Sequence, residues 1–235
     1  MMTQDTRGSA PTDSAWPEAA LAGPASALEE SMVADLNAAV IRRSDVAPLV
    51  DAAFTRMQSP MGDLLVFVTA RGLLRIAFDT EEFATVAAEV ADALGPVIVE
   101  DAGITAQAVR ELGEYFAGER RTFDVALDLR LSRGAFRSTV QQALADIPFG
   151  STMSYAEMAD HLGNPKAVRA VGTACATNPI PLVLPCHRIV RSDGTFGNYR
   201  GGHARKQWVL DFEAGCFRSP GDRSAPWDAA DFPPP

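Results

Sequence analysis

The strongest chemical signal in this 235-residue sequence is a cysteine followed directly by a histidine and an arginine. Cys186, His187 and Arg188 come immediately after an apolar segment that ends at Pro185. A free thiol, with a pKa of about 8.5, is mostly protonated at neutral pH, so it needs a neighbouring base or cation to become a strong nucleophile. His187 can take the proton, directly or through a water, and Arg188 adds positive charge. The triplet therefore predicts an activated thiol, although a small buried cysteine without reactivity is the competing interpretation.

Further short motifs flank the triplet in a fixed order. Upstream lie the segments 147–155 and 163–172, and downstream lie 197–202 and 206–208, which read IPFGSTMSY, GNPKAVRAVG, GNYRGG and KQW. Together with the triplet, they give residues 136 to 215 a pattern that resembles the O6-alkylguanine-DNA alkyltransferases. Proteins of that family repair DNA by moving an alkyl group from guanine O6 to their own cysteine. The N-terminal third of the chain matches that family only in outline.

The resemblance implies roles for five residues around the reaction. Cys186 would accept the alkyl group, His187 would draw the thiol proton through a bound water, and Glu213 would orient and charge-balance the imidazole. Tyr155 would donate to the guanine as charge develops on it, and Asn178 would hold the turn that presents the thiol. From the residues alone, Tyr155 fits a core aromatic equally well, and a glutamate near a helix end is usually a solvated charge.

The segment before the triplet predicts two short helices joined by a tight turn. Ser154 is suited to cap a helix that runs to Leu162, and a second helix follows from Lys166 to about Ala176. This outline fits a helix-turn-helix or an ordinary helical hairpin. The resemblance implies the former, with the second helix in the DNA minor groove and Arg169 entering the duplex in place of an extruded nucleotide. The predicted DNA contacts are Lys166, Ala167, Arg169, Ala170 and Arg188.

The resemblance also implies a pocket for the flipped base. The backbone around Cys186 and Ile189 would read the exocyclic amine of guanine, and Tyr199 with Arg200 would belong to the loop that covers the pocket. A thioether is not hydrolysed in the cell, and no second cysteine or cofactor is positioned to regenerate the thiol. Each molecule is therefore expected to act once, without a cofactor.

The predicted function is thus a monomeric DNA repair protein whose partner is double-stranded DNA carrying O6-alkylguanine. O6-methylguanine is the main expected lesion, and O4-methylthymine is a second candidate. Two alternatives stay open: an alkyltransferase-like protein that binds the lesion without efficient transfer, and a thiol hydrolase that uses Cys186 and His187. The PCHR context of Cys186 argues against the first, and Arg169 with its helix pair has no purpose in the second.

Composition sets limits on partners and location. The formal net charge is −9, yet residues 150–218 carry 8 Lys and Arg against 5 Asp and Glu, so the acidic excess lies away from the motifs. One locally basic face is sufficient for salt-sensitive DNA binding. No apolar stretch approaches the roughly 20 residues of a membrane span, and the start lacks a signal-peptide core, which indicates a cytoplasmic protein, nucleoid-associated when bound to DNA. The three cysteines have no CxxC spacing, so no metal site is expected.

The predicted fold class is α+β, with a small N-terminal antiparallel sheet and its helices followed by a mainly helical C-terminal domain that contains the helix-turn-helix. We predict a disordered leader at 1–26, an N-terminal extension with a helix at 27–50, an α/β structural domain at 51–130, a DNA-binding and alkyl-transfer domain at 131–218, and a disordered tail at 219–235. Arg137 and Gln141 replace the Gln and Trp of many family members. The packing of their helix against the catalytic core is therefore an open question.

Overall fold

The computed structural model of the protein describes residues 50–216. The predicted leader, the helix expected in the N-terminal extension and the predicted tail lie outside the described residues. Between residues 50 and 216, no helix is long and apolar enough to cross a membrane. This part of the chain has the predicted α+β order, because a small sheet with its helices comes first and a mainly helical part follows.

The N-terminal sheet has four short strands. The first three, β1 (Ala52–Met57), β2 (Leu64–Thr69) and β3 (Gly72–Phe78), form an antiparallel meander, as the sequence predicts. β4 (Ile98–Glu100) pairs with the free edge of β1, which gives the order β3-β2-β1-β4. This pairing is parallel, because helix α1 (Phe83–Leu94) carries the chain back before β4 begins, and it adds a parallel edge to the predicted antiparallel strands.

Both faces of the sheet are covered. On one face, Leu65, Phe67 and Leu74 pack with Val86 and Val90 of α1. The other face belongs to a larger core that also contains apolar residues of α2 (Ala102–Phe116) and of the C-terminal helices. Because β2 is buried on both sides, its sequence LLVFVT is apolar almost throughout. The N-terminal and C-terminal parts thus share one hydrophobic core.

Four helices and a small strand pair make up the C-terminal part. The helices are α3 (Ala135–Ala143), α4 (Tyr155–His161), α5 (Val168–Ala176) and α6 (Gly202–Glu213). The strands β5 (Met153–Ser154) and β6 (Ile189–Val190) pair in parallel. This pairing joins the start of α4 to the segment that follows the PCHR motif.

Helices α4 and α5 form the predicted pair. The Ser154 hydroxyl accepts from the backbone of Glu157, and the Glu157 carboxylate accepts from the backbone of Ser154, which is a complete capping box. In the turn, the Asn164 backbone N–H donates to the Ala159 carbonyl at 2.9 Å. A 3-10 turn at Pro165–Ala167 precedes α5, so α5 begins two residues later than the spacing predicts. The sequence therefore located the pair correctly and misplaced one boundary.

Gln141 connects α3 to α5. Its side chain is fully buried, and Nε2 donates to the Ala174 carbonyl in the last turn of α5 at 2.9 Å. Carbonyls in a last turn have no partner within their own helix, so this bond satisfies one of them. Arg137 is half-buried and lines a surface cleft with Thr177. A polar contact thus joins α3 to α5.

Candidate active site

The cysteine lies at the end of a buried loop that Asn178 organises. Nδ2 of Asn178 donates to the Leu184 carbonyl at 2.7 Å, and Oδ1 accepts from the Ile180 N–H at 3.0 Å. One side chain thus joins both ends of the loop. These bonds offset the cost of burying backbone polar groups away from water. Cys186 then begins a 3-10 turn (Cys186–Arg188) and is only 3% exposed.

Burial dominates the chemistry of the Cys186 thiol. It raises the thiol pKa above its ordinary value, and the Asn178 amide and the Lys206 ammonium oppose this only in part. Lys206 is itself fully buried and donates from Nζ to the Ile189 carbonyl. Burial lowers the pKa of Lys206, whereas the charge of a Cys186 thiolate raises it. The resting thiol is therefore protonated and needs a base before it can act as a nucleophile.

His187 has the properties of such a base. Its Nε2 lies 2.9 Å from Oε1 of Glu213, so we assign the ring proton to Nε2, where it can be donated to the carboxylate. Nδ1 then carries a lone pair, and no group among residues 50–216 forms a hydrogen bond with it. Burial lowers the pKa of His187 and outweighs the opposing effect of Glu213. The imidazole is therefore neutral at neutral pH, with one nitrogen free to accept a proton.

Glu213, the last residue of α6, accepts five hydrogen bonds. Arg188 donates two of them, from Nη2 to Oε1 at 2.8 Å and from Nε to Oε2 at 2.9 Å. The others come from His187, from the Tyr115 hydroxyl at 2.7 Å and from the Gly150 N–H at 3.2 Å. Burial by itself raises the pKa of this carboxyl, but the bonds and charges of His187 and Arg188 outweigh it and hold the pKa well below its usual range. Glu213 is a buried, ionised carboxylate.

Arg188 belongs to this buried group. It is 5% exposed, and besides Glu213 it donates from Nη1 to the Ile147 carbonyl at 2.6 Å. Its guanidinium also lies over the Phe149 ring, 5.7 Å from the centroid. The DNA contact predicted at Arg188 stays a prediction, and in this structure the guanidinium is enclosed by these groups rather than exposed. Its charge neutralises Glu213.

Tyr155 borders an open surface cleft of about 580 Å³, which Arg169 of α5 also lines. The tyrosine packs closely on the backbone of Gly197, where a Cβ would lie 2.2 Å from the hydroxyl oxygen. Any larger residue at this position would therefore displace Tyr155. Burial and the nearby thiols of Cys175 and Cys186 raise the pKa of Tyr155 to about 12. The phenol keeps its proton at neutral pH and can act as a donor.

The exposed side of α5 and the turn before it carry the other predicted DNA contacts. Lys166, Arg169 and Ala170 are exposed, and Ala167 is half-buried. Within the described part of the chain, neither Lys166 nor Arg169 forms an ion pair. Unpaired cations among small side chains are therefore presented to solvent here.

The residues predicted to form the base pocket differ in their surroundings. Ile189 is fully buried. Tyr199 is also buried, packs against Phe78 at a centroid distance of 5.7 Å, and has no hydrogen-bond partner for its hydroxyl among residues 50–216. Arg200 is directed to the N-terminal part, where it pairs with Glu81 at 3.1 Å. Among these three residues, Tyr199 alone has a buried side-chain polar atom that forms no hydrogen bond within residues 50–216.

Comparison with known proteins decides the family. Two sequence models of 6-O-methylguanine DNA methyltransferase match the chain, the ribonuclease-like domain at residues 53–129 and the DNA binding domain at residues 135–215. A methylated-DNA–protein-cysteine methyltransferase of Methanosarcina acetivorans is 37% identical over 159 residues, which cover 68% of this chain and 96% of the relative. The chain belongs to the 6-O-methylguanine DNA methyltransferase family.

Two further proteins agree with this assignment. A methylated-DNA–protein-cysteine methyltransferase of Mycolicibacterium paratuberculosis is 50% identical over 108 residues, which cover 46% of this chain and 64% of the relative, just under two thirds of its length. The crystal structure of Mycobacterium tuberculosis OGT in complex with DNA has a TM-score of 0.61 and 36% identity, and the match covers 73% of this chain and 98% of that one. The predicted family and fold class are confirmed.

Three residues that the sequence analysis did not predict also belong to the site. Tyr115 reaches it from α2, Gly150 from the turn before β5, and Lys206 from α6. Lys206 lies in one of the motifs that carry the resemblance, which is a signal that could have found it. Tyr115 is 98 positions from Glu213 and has no local signal of this kind. Across residues 50–216, no three His, Cys, Asp or Glu side chains are grouped to hold a metal ion.

Proposed function

We propose that this protein repairs duplex DNA by transferring an alkyl group from O6 of a flipped guanine to the sulfur of Cys186, once per molecule. The observation that carries the proposal is the buried arrangement of Cys186, His187 and Glu213. The neutral imidazole of His187 is held by the ionised carboxylate of Glu213, and His187 directly follows the protonated Cys186 in the sequence. Membership of the methylguanine methyltransferase family supports the same reaction.

Proton transfer from the thiol comes first in this mechanism. His187 accepts the proton of Cys186 at Nδ1 through a bound water, and Glu213 stabilises the imidazolium that forms. The Lys206 ammonium offsets part of the charge on the thiolate. Because burial disfavours the free thiolate, the ionised form is produced at the moment of use and is not stored.

The transfer is a nucleophilic substitution at the alkyl carbon. The sulfur–carbon bond forms, the carbon–O6 bond breaks, and its electron pair passes to the guanine. Tyr155 donates a hydrogen bond to the base as this charge develops, and its raised pKa keeps the donated proton on the phenol. The proton that His187 took from Cys186 then passes to the guanine, which leaves a neutral imidazole, an S-alkylcysteine and a neutral guanine.

The base must leave the duplex, because a stacked guanine cannot present its alkyl carbon to a buried sulfur. α5 lies in the minor groove, where the small side chains of Ala167 and Ala170 permit close approach and Lys166 meets a phosphate. Arg169 fills the place of the extruded nucleotide. In support of this, Arg169 is exposed and lines the same cleft as Tyr155.

The flipped guanine is held by the segment around the thiol. The backbone of Cys186 and Ile189 reads the exocyclic amine, and the loop with Tyr199 and Arg200 covers the base. The ion pair between Arg200 and Glu81 supports a role for Arg200 in fixing that loop. The protein acts as a cytoplasmic monomer, nucleoid-associated on DNA, without a cofactor. O6-methylguanine is its main substrate, and O4-methylthymine is a second one.

Incubation with duplex DNA carrying one O6-methylguanine, followed by intact-mass and peptide analysis, tests the proposal. We expect a single methyl group, on Cys186, with transfer complete at one equivalent of DNA. Cys186→Ser abolishes the adduct, whereas the matched control Cys216→Ser, at an exposed cysteine, leaves it unchanged. Continued turnover would favour a thiol hydrolase instead. Tight binding of the lesion without an adduct would favour an alkyltransferase-like protein.

A further inference from the structure

The carboxylate of Glu213 is shared with the N-terminal part of the molecule. The hydroxyl of Tyr115, next to last residue of α2, donates to Oε1 of Glu213 at 2.7 Å. The same oxygen accepts from Nε2 of His187 and from Nη2 of Arg188. Tyr115 is fully buried, and burial together with the charge of Glu213 raises its pKa well above the ordinary value. The phenol therefore keeps its proton and remains a donor.

We propose that Tyr115 is a positioning residue for the alkyl transfer, which sets the basicity of His187 by acting through Glu213. This inference rests on the proposed function. Each hydrogen bond accepted by Oε1 draws off part of its negative charge and weakens its attraction for the imidazole N–H. With Tyr115 in place, the imidazolium is stabilised less, so His187 stays neutral and able to accept a proton at lower pH.

The ring and the hydroxyl of Tyr115 have different contacts. Four aromatic rings lie 5.4 to 6.0 Å from the ring of Tyr115, centroid to centroid, and they belong to Phe116, Phe123, Phe149 and Phe212. A phenylalanine would make the same contacts. Glu213 also has four other hydrogen bonds, so its charge is satisfied without the phenol. What the hydroxyl adds is a directional bond from α2 to the carboxylate that orients His187.

This bond changes the interpretation of the N-terminal domain. From the sequence, residues 51–130 have only a structural role. The contact between Tyr115 and Glu213 gives that domain one group that bonds to the carboxylate beside His187. Separation of the two domains would therefore alter the basicity of His187 as well as stability.

The test compares wild type with Tyr115→Phe in single-turnover transfer from free O6-benzylguanine, measured across pH so that DNA binding does not contribute. We expect the acid limb of the rate profile to move to higher pH by about half a unit, which is about a threefold loss of rate below the pKa, with recovery at alkaline pH. Phe116→Leu is the matched control, because Phe116 packs on Tyr115 and donates none of the hydrogen bonds that Glu213 accepts. It should lower the thermal midpoint and leave the profile unchanged.

A second variant keeps the test decisive if Tyr115→Phe folds poorly. Site-specific 3-fluorotyrosine at position 115 retains shape and bond but is a stronger donor, so the acid limb should move to lower pH. Profiles that stay at the wild-type position, or that move in the same direction in both variants, would overturn the role assigned to Tyr115. Absence of any adduct in the wild type would instead reject the proposed function itself.

Discussion

Arg188 and Glu213 form a bidentate ion pair in the protein interior, with Nη2 and Nε of the guanidinium 2.8 and 2.9 Å from Oε1 and Oε2 of the carboxylate. Their side chains are only 6% and 1% exposed, so this is unlike a surface pair, which contributes little to stability. Because both charges have lost their water, each depends on the other for compensation. The same pair fixes the carboxylate that bonds to His187, and so it links the stability of the fold to the proposed chemistry.

Glu213→Gln tests this link. The substitution keeps the size of the side chain but removes its charge, which leaves Arg188 buried without a counter-charge and His187 with a weaker acceptor. We expect a loss of about 3–5 kcal/mol in the free energy of unfolding and a rate of transfer lower by about 100-fold or more. Urea unfolding and single-turnover kinetics measure the two effects.

Asp211→Asn provides the matched control on the same helix. The Asp211 carboxylate accepts from the Gln207 side chain at 2.8 Å in a half-buried position and forms no hydrogen bond with His187 or Arg188 in the described residues. The Asp211→Asn control should lower the free energy of unfolding by less than about 1 kcal/mol and leave the rate of transfer unchanged. A Glu213→Gln protein as stable and as fast as this control would show that the buried ion pair carries neither role.

Asn178→Ala tests whether the loop that presents the cysteine depends on one side chain. The variant leaves the Leu184 carbonyl and the Ile180 N–H buried without partners, so we expect a loss of about 2–4 kcal/mol in the free energy of unfolding and slower transfer. Asn178→Asp retains the acceptor for Ile180 but adds a negative charge near Cys186. That charge raises the thiol pKa, so the rate profile should move to higher pH. An unchanged profile in the aspartate variant would contradict an electrostatic role for Asn178.

The predictions that succeeded rest on local signals. Ser154 precedes the apolar spacing of α4 directly, so its role as the N-cap could be predicted from the sequence. The meander from β1 to β3 follows from short apolar segments separated by turn residues. The PCHR motif and its neighbours identified the family. The roles that the resemblance implies for residues far apart in the chain stay predictions.

The features that the sequence analysis did not reveal depend on tertiary contacts. Arg188 follows His187 in a segment expected to approach DNA, and nothing local shows that its partners are Glu213 and the Ile147 carbonyl. The parallel pairing of β4 likewise depends on where α1 packs. Tyr115 belongs to a helix that has no catalytic motif. In each case the decisive partner lies far along the chain, where spacing and composition carry no information about contact.

Acid should destabilise the fold in two steps. Burial keeps His187 neutral in the folded state, so its pKa lies below the unfolded value of about 6.5, and unfolding takes up a proton as pH falls through that value. The depressed pKa of Glu213 adds a second proton uptake below about pH 4.3. In both windows the unfolded chain binds more protons, so the free energy of unfolding falls by up to about 1.4 kcal/mol per pH unit for each proton.

Urea unfolding from about pH 8 to pH 3 measures both steps. His187→Gln removes the group that titrates in the upper window and leaves Glu213 in place, so only the upper step should disappear. Persistence of that step in the variant would assign it to another group. A wild-type protein whose stability stays flat from neutral pH to about pH 5 would mean that His187 is already protonated in the fold.

Arg169→Ala separates DNA binding from the chemistry at the thiol. Arg169 is exposed and forms no ion pair in the described part of the chain, so its removal leaves the bonds among His187, Arg188 and Glu213 intact. If Arg169 replaces the extruded base, its loss makes flipping less favourable, and repair of duplex O6-methylguanine should slow by about tenfold or more. Reaction with free O6-benzylguanine needs no flipping, so its rate should stay within about twofold of wild type.

The control for Arg169→Ala is Arg110→Ala, which removes the same charge from α2, where a single ion pair with Glu114 spans 3.6 Å. It should change neither rate. Equal losses of Arg169→Ala on duplex and free base would place Arg169 in support of the fold or the reacting groups. A normal rate on duplex DNA would mean that the flipped state is stabilised without this side chain, and then the small residues of α5 would have to account for it alone.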